Sequence, residues 1–248
     1  MGIMVEQLHG KIGGNMKKLL LGVLALSTTI ALTGCSQSKL VVDGDVLLRV
    51  WDDTPTKVKV PKKIKTIADE AFYMYHNLEE VIIPGNVETI GKGAFSGCEN
   101  LETVTLSEGL VTIGRKAFVG CESLYEITIP STVTSIGDEC FCGCTWLRYV
   151  DIKGNIASIG SGTFDYTALT NIVLPKTLNT IESSAFNNCD NLSNIYFAGT
   201  EESWNDVYIS EYNNDAIKNA KVSFYSATQP SKDGNYWHYD KDGNAQSW

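Results

Sequence analysis

A single phenylalanine position recurs along most of this chain at an almost constant interval. Six phenylalanines are spaced by 23, 23, 23, 23 and 22 residues, and they are Phe72, Phe95, Phe118, Phe141, Phe164 and Phe186. A fixed period of this length indicates a repeat architecture, in which each repeat is one supersecondary unit that stacks on the next. The period constrains the fold more than any other feature, because one such unit cannot bury its own apolar side chains.

Other apolar positions keep the same step. An isoleucine lies five residues before each phenylalanine and a leucine follows it, as in Ile90, Phe95 and Leu101. The segment from Leu101 to Leu106 alternates as a strand does, with Leu101, Val104 and Leu106 pointing inward. Counted from Val58, seven such strands occur. We therefore predict a repeat solenoid, a parallel β-sheet of about seven short strands joined by short helical turns and capped at both ends.

The consensus of the repeat is similar to a known family. It reads Ile-Gly-x-x-Ala-Phe-x-Gly-Cys-x-x-Leu-x-x-Val-x-Ile-Pro and is clearest at Ile90 to Ser107 and Ile113 to Pro130. This pattern resembles the BspA-type leucine-rich repeat family over residues 58–198. The resemblance implies a secreted or surface bacterial protein, in a family of which several members attach to host matrix proteins or to other microbes. It brings no catalytic residues with it.

The start of the chain has the features of an export signal. Lys17 and Lys18 precede an apolar run, and that run ends in Leu32-Thr33-Gly34-Cys35, which resembles the lipobox of bacterial lipoproteins. We predict a signal peptide over 16–34, a lipid-modified Cys35, and a tether and β cap over 35–57. Residues 1–15 are predicted to be an unfolded extension from an upstream start. The alternative is a buried helix with a chance cysteine at its end.

Composition argues against several functions. The formal net charge is −9, whereas a protein that neutralises nucleic-acid phosphates needs clustered Lys and Arg, and no basic stripe is recognised. Only His76 and His238 lie beyond the export signal, so no metal site, cofactor or catalytic residue is predicted and the chain is not expected to be an enzyme. A pair of carboxylates that meet only in space, as in glycosidases, remains an open alternative.

The cysteines largely follow the repeat. Apart from Cys35 there are six, and four of them share one repeat position: Cys98, Cys121, Cys144 and Cys189. A small apolar thiol suits the interior of a tight turn, so we predict buried free thiols without an obligatory disulfide. Cys140 and Cys142 are additional, and a disulfide or a zinc ion at this cluster remains the alternative.

Both flanks of the repeat are predicted to cap it. Asp43-Gly44 predicts a hairpin turn before the strand at Val58. Residues 199–248 form a C-terminal cap and an aromatic tail in which Tyr236, Trp237 and Tyr239 are secondary candidates for binding. The tail faintly resembles one copy of a cell-wall-binding module, whose stacked aromatics hold sugars. Its aspartates fall short of a calcium loop.

One coil departs most from the repeat. It carries Trp146, Arg148, Tyr149 and Asp151, whereas the position of Trp146 elsewhere holds Asn, Ser or Ala. Trp, Tyr and Arg are enriched at interface hot spots, so these four residues are the predicted ligand-binding positions. The alternative is that Trp146 fills space beside the next coil, which is one residue shorter.

The leading functional hypothesis is a lipid-anchored protein at the bacterial cell surface whose solenoid binds or adheres to a partner. That partner would be a host matrix protein, a microbial surface protein or a glycan, with the membrane reached through the lipid anchor and no nucleic acid involved. A structural spacer without a dedicated ligand, and wall attachment through the aromatic tail, are the alternatives.

Overall fold

The computed structural model describes residues 28–31, 39–50, 55–231 and 234–248. It confirms the predicted solenoid. Each coil contributes one strand of three to five residues to a long ladder and one two-residue strand to a short ladder. The strands begin two residues after the repeat leucine rather than at it, because the leucine closes the preceding turn, as when the amide of Leu101 donates to the carbonyl of Cys98.

The long ladder is a parallel stack of eight strands, one more than predicted from Val58. These strands are β4 (Lys57–Lys59), β6 (Glu80–Ile83), β8 (Thr103–Leu106), β10 (Glu126–Ile129), β12 (Tyr149–Ile152), β14 (Asn171–Leu174), β16 (Asn194–Phe197) and β18 (Lys221–Tyr225). Successive strands pair in register except at one place. The strands β8 and β10 belong to separate hydrogen-bonded sheets, so the ladder is split after its third strand.

The short ladder runs beside the long one. Its strands are β5 (Thr66–Ile67), β7 (Thr89–Ile90), β9 (Thr112–Ile113), β11 (Ser135–Ile136), β13 (Ser158–Ile159), β15 (Thr180–Ile181) and β17 (Tyr208–Ile209). This ladder is also interrupted once, because β11 and β13 belong to separate sheets. The two interruptions therefore lie one coil apart on opposite ladders.

The recurring phenylalanines form a continuous stack in the interior. Ring centroids of successive coils are 4.7 to 5.7 Å apart, and all six rings are buried. The spacing follows from the distance between adjacent strands, which is about 4.8 Å. Each such aromatic pair contributes about 0.5–1.5 kcal/mol beyond its burial. The period in the sequence is thus the axial repeat of an aromatic core.

Two backbone positions in the repeat differ in what they require. Gly97, Gly120 and Gly143 have positive φ, and Met74 and Tyr166 adopt the same conformation with φ of 57°. Gly114 represents the second position and does not have a positive φ. A Cβ there would lie 2.7 Å from the backbone of the preceding coil. Glycine is therefore preferred at the first position for conformation and at the second for close stacking.

The N-terminal end is closed by β2 (Lys39–Asp43) and β3 (Val46–Val50), a hairpin that turns at Gly44 as predicted. The strand β1 (Thr28–Ala31) pairs antiparallel with β2, and β3 pairs parallel with β5. The hairpin thus covers the first strand of the short ladder. β1 falls within the predicted signal peptide. Residues 1–15, most of that peptide and Cys35 lie outside the described residues.

The C-terminal end is closed by two short helices, α1 (Glu201–Asn205) and α2 (Asp215–Asn219), which flank β17. The buried Asn214 replaces a hydrogen-bond acceptor that the next coil would supply if the repeat continued. Its side-chain oxygen accepts the amide of Phe186 at 3.1 Å. In an inner coil the amide of Phe164 donates instead to the carbonyl of Ala185. Within the described residues, no helix has the length and apolarity required to cross a bilayer.

The chain finishes in an antiparallel hairpin made of β19 (Tyr236–Tyr239) and β20 (Ala245–Ser247). Because β19 pairs parallel with β18, this hairpin continues the long ladder. We call it the C-terminal hairpin. It also lies over outward-facing residues of the ladder, because Tyr239 contacts Asp151 and Trp237 contacts Tyr196.

Candidate functional site

The outward face of the long ladder has an open half and a covered half. One row of outward residues is exposed or half-buried from Ile82 to Thr128, in the coils of β6, β8 and β10. In later coils most of the same row is covered, because Asp151, Val173 and Ser223 each retain 2% exposure or less, and Tyr196 between them is half-buried. A parallel ladder exposes this face unless something packs on it, and here the C-terminal hairpin does so.

Trp237 is the anchor of the C-terminal hairpin. Its side chain is fully buried, and its indole N–H donates to the carbonyl of Phe197 at 2.9 Å. Its ring packs against the rings of Tyr196, Tyr225 and Tyr239, with centroids 5.0 to 5.7 Å away. An aromatic ring used in this way holds the hairpin to the ladder and offers no free face to a sugar.

Two sets of residues that were predicted separately meet beneath this hairpin. The hydroxyl of Tyr239 donates to a carboxylate oxygen of Asp151 at 3.1 Å, and Lys153 lies 3.6 Å from the other oxygen. The ammonium of Lys153 also lies 5.4 Å from the centre of the Tyr239 ring. Burial raises the pKa of Asp151, an effect that Lys153 and Tyr239 oppose. Asp151 is thus an internal partner of the tail in this structure.

Tyr149 lies beside the same cluster. Its hydroxyl is buried near Ala245 of β20 and has no hydrogen-bond partner of good geometry among the described residues. Burial and the nearby charge of Asp151 raise the pKa of Tyr149 to about 12. The phenol therefore stays protonated at physiological pH.

Trp146 and Arg148 have a different environment, at the solvent-exposed entry to β12. Trp146 keeps 61% of its surface exposed, so it does not fill space beside the shorter coil that follows. The guanidinium of Arg148 lies 6.0 Å from the centre of the Tyr125 ring, which is itself half exposed. A cation above an aromatic face is weakly attracted to it, which favours this arrangement of the two side chains. We call Tyr125, Trp146 and Arg148 the aromatic rim.

Tyr125 was missed from the sequence, although a signal for it was present. It occupies the repeat position that holds Glu102 in the preceding coil and Arg148 in the next. A comparison of adjacent coils at that position would have joined it to Arg148. Of the four predicted contact residues, the structure therefore exposes Trp146 and Arg148, leaves Tyr149 half-buried with its hydroxyl covered, and buries Asp151.

Next to the aromatic rim, the split between β8 and β10 opens a shallow cleft of about 280 Å³. Its walls are both strands, lined by Glu102, Thr103, Val104, Thr105, Leu106, Glu126, Ile127 and Thr128. The lining mixes carboxylates and hydroxyls with apolar side chains. The cleft and the aromatic rim together form the most varied part of the open face.

Cysteine and aspartate side chains of the described residues make hydrogen bonds that support the fold. Among the described residues, no group of His, Cys, Asp and Glu is arranged to hold a metal ion. The repeat thiols donate to backbone carbonyls of other coils, as Cys121 does to Phe95 at 3.2 Å. The carboxylate of Asp240 accepts the backbone amides of Asp242 and Asn244, which closes the turn of the C-terminal hairpin.

Comparison with known proteins gives a family and a set of folds. The profile described as the BspA type leucine rich repeat region matches residues 53–156 and 111–225, in six copies. No curated protein matches the chain. The leucine-rich repeat protein of T. pallidum superposes with a TM-score of 0.58, at 25% identity over 72% of this chain and 89% of that one.

Two larger proteins have a similar fold. A leucine-rich cell surface protein from Faecalibacterium prausnitzii gives a TM-score of 0.55 at 26% identity, over 74% of this chain and 42% of that one. The pneumococcal vaccine antigen PcpA gives 0.57 at 24% identity, over 71% of this chain and 45% of that one. The likeness to PcpA concerns the fold alone. This chain spans less than half of either protein.

Proposed function

Because the chain belongs to the BspA-type leucine-rich repeat family, we propose that it is a binding or adhesion module at a bacterial cell surface. Solenoids of this family are typically non-enzymatic and bind protein partners. One similar structure is that of a protein described as a cell surface protein. These likenesses support surface display, and the partner has to be argued from the residues of this chain.

The exposure of Trp146 is the observation that carries the proposal. A large apolar ring that keeps 61% of its surface in water contributes little to the core, and the other coils hold smaller residues at this position. Beside it, Tyr125 and Arg148 supply the other two residue types that dominate interface hot spots. The aromatic rim is therefore the proposed contact surface. Tyr149 and Asp151, predicted as contacts, would instead hold the C-terminal hairpin as one border of that surface.

The proposed partner is a host matrix protein, a microbial surface protein or a glycan. The residue types favour a protein, because rigid aromatic and guanidinium groups gain most when a partner removes them from water. A glycan would also stack on Trp146 and Tyr125 and accept hydrogen bonds from Arg148. The mixed polar and apolar cleft next to the rim suits either class.

A binding screen with paired variants tests the proposal. The chain and its Trp146→Ala/Arg148→Ala variant would be screened against matrix proteins and arrayed surface glycans, with Tyr212→Ala as the matched control. Tyr212 is equally exposed but lies in the C-terminal cap. We expect the double variant to lose affinity by at least 2 kcal/mol, as hot-spot truncations do, and the control to keep it.

Negative results would also be informative. A chain that binds nothing in the screen would be better described as a spacer. Equal loss of binding in the rim variant and the control would place the contact surface elsewhere.

We further propose that Cys35 carries a lipid anchor. The support is the sequence Leu32-Thr33-Gly34-Cys35 at the end of an apolar run. A lipidated cysteine would gain about 0.8 kcal/mol for each methylene buried in the bilayer. Cys35→Ala should move the protein out of the membrane fraction and abolish metabolic labelling with a fatty-acid probe. Labelling that persists in the variant would contradict the proposal.

A further inference from the structure

The first coil has an unusual distribution of charge. Five lysines and no acidic residue occur between positions 57 and 65, in a chain whose formal net charge is −9. We call Lys57, Lys59, Lys62, Lys63 and Lys65 the lysine coil. One period later, the same five positions hold Glu80, Ile82, Gly85, Asn86 and Glu88. The repeat therefore does not require lysine at any of them. The cluster was not predicted from the sequence, because the negative net charge of the whole chain conceals it.

The fold presents the lysines to solvent. In this coil Val58, Val60 and Ile64 are buried, and the lysines between and beside them are exposed. Lys57 and Lys59 lie on β4, which pairs only with β6 among the described strands and so terminates the long ladder. The lysine coil therefore lies at the end of the solenoid where the long ladder begins, beside the N-terminal hairpin.

Acidic neighbours neutralise only part of the lysine coil. Lys57 pairs with Glu80 at 2.9 Å and Lys65 pairs with Glu88 at 3.5 Å. No ion pair to Lys59, Lys62 or Lys63 is found in the described part of the chain. Beyond this coil, residues 66–248 contain 24 Asp and Glu against 10 Lys and Arg, a formal charge of −14. Residues 39–65, the whole of that end, contain seven Lys and Arg against four Asp, a formal charge of +3. The molecule thus has a moderately basic end and an acidic body.

The basic end is also the end at which the chain enters the fold. In the hairpin of β2 and β3, strand β3 pairs with β5. The strand β5 directly follows the lysine coil in the chain and lies at the same end of the solenoid. The strand β2 begins at Lys39, four residues after Cys35. Four extended residues span at most about 14 Å. A group attached to Cys35 would therefore be held within about 14 Å of the start of β2, at the same end of the solenoid as the lysine coil.

We propose that the lysine coil docks the solenoid end-on against the headgroups of an anionic phospholipid bilayer. Lysines near such a surface are attracted to it, and the attraction falls off within a Debye length of about 8 Å at physiological salt. The acidic body would be repelled by the same surface, so the solenoid would stand away from it. A nucleic acid fits less well, because an extended polyanion would also meet the acidic body.

This inference goes beyond the proposed binding function and uses the proposed anchor only to explain how the coil reaches a bilayer. The docking itself needs no acyl chain. It can therefore fail or succeed independently of the lipidation of Cys35 and of partner binding at the aromatic rim.

The test is vesicle binding by the whole chain carrying Cys35→Ala, so that no acyl chain contributes. Equimolar phosphatidylglycerol and phosphatidylcholine vesicles would be compared with vesicles of phosphatidylcholine alone. We expect preference for the anionic vesicles, lost in 0.5 M salt, where the Debye length is about 4 Å. The substitutions Lys59→Gln, Lys62→Gln and Lys63→Gln together should weaken that binding on the order of 100-fold.

A second triple variant provides the control, with Lys92, Lys176 and Lys221 changed to Gln on other coils. It has the same net charge as the first and the same residues before Cys35, so it should keep nearly all of the binding. Equal weakening in both variants, or undiminished binding in the first, would overturn the proposal. Binding to duplex DNA without binding to anionic vesicles would also overturn it.

Discussion

Tyr239 donates a hydrogen bond of 3.1 Å to Asp151, and this contact joins residues 88 positions apart in the chain. One partner belongs to a regular coil and the other to a tail that is not part of the repeat. The contact divides the outward face of the long ladder, because the hairpin that carries Tyr239 covers the later coils and leaves the earlier ones open. The extent of the exposed face of the long ladder is thus set by a segment outside the repeat.

Tyr239→Phe should loosen the C-terminal hairpin without disturbing the solenoid. The substitution removes a hydrogen bond to a buried carboxylate, a change that costs about 1–3 kcal/mol. Hydrogen exchange of β19 and β20 should therefore quicken, whereas exchange of β14 and β16 should not change. Tyr212→Phe is the matched control, because Tyr212 is largely exposed. Unchanged exchange in Tyr239→Phe would mean that Trp237 alone holds the hairpin.

Asp151 should make stability depend on pH in the opposite sense to most carboxylates. Its pKa is raised by burial above the ordinary value of 3.8, so the folded chain binds the proton more tightly than the unfolded chain does. Stability from this group is therefore greatest in acid and falls as the pH rises from about 3.8 through the raised pKa. Asp151→Asn should remove that fall.

The measurement is the difference in unfolding free energy between wild type and Asp151→Asn, followed as the pH is raised from 3.5 to 7 (about the window in which carboxylates titrate). Carboxylates with lowered pKa, such as Asp240 and Glu139, have the opposite dependence and are common to both proteins. We expect the free energy of unfolding of the wild type to fall relative to that of the variant as the pH rises. A difference that is constant with pH would contradict the argument.

The periodic part of the fold could be predicted from the sequence. The step from Phe95 to Phe118 reports stacking directly, because each residue contacts its own equivalent one coil away. The same reasoning identified the buried thiols, the hairpin at Gly44 and the unusual coil at Trp146. What these share is that neighbours in space are either close in sequence or separated by one period.

Contacts between the repeat and its flanks could not be predicted in that way. No period relates Asp151 to Tyr239, so the sequence offered the two as separate candidates for binding rather than as partners. The split between β8 and β10 was equally hidden, since the two coils it separates keep the full repeat length. The lysine coil could have been found from the sequence, but only by comparing Lys59 or Lys62 with the equivalent residue of the next coil.

The thiols should differ sharply in reactivity. Burial raises the pKa of Cys98 to about 12 and that of Cys189 to about 11, and Cys121, Cys140 and Cys144 are also buried with raised pKa. The thiolate is the reactive form, so all five should resist alkylation of the folded chain near pH 8. Cys142 is only half-buried and should react first.

Mass spectrometry after a short pulse of iodoacetamide would rank the six sites. Repetition in denaturant is the control, because the free thiols should then react at similar rates. Labelling of folded Cys121 as fast as Cys142 would show that the coil interior opens readily. A thiol that stays unlabelled in denaturant without reductant would reveal a disulfide.

The split in the long ladder should be a local weak point. In most coils the first amide of the long-ladder strand is bonded to the coil before it, as Thr103 is to Glu79 at 3.0 Å and Asn194 is to Thr170 at 3.1 Å. The equivalent amide of Glu126 faces the cleft, because β8 and β10 are not paired. An amide without that bond is less protected from exchange with water, since a backbone hydrogen bond contributes about 1 kcal/mol.

Native-state hydrogen exchange resolved by residue tests this directly. We expect the amide of Glu126 to exchange about tenfold faster than that of Asn194, which corresponds to roughly 1.4 kcal/mol. Thr103 serves as a second reference, because it lies on the other side of the same cleft but is bonded to the preceding coil. Equal protection at Glu126 and Thr103 would mean that the two strands pair in solution and that the cleft closes. Faster exchange at Glu126 alone would establish the split as a property of the folded ladder, and it would place an accessible backbone edge beside Tyr125 and the aromatic rim.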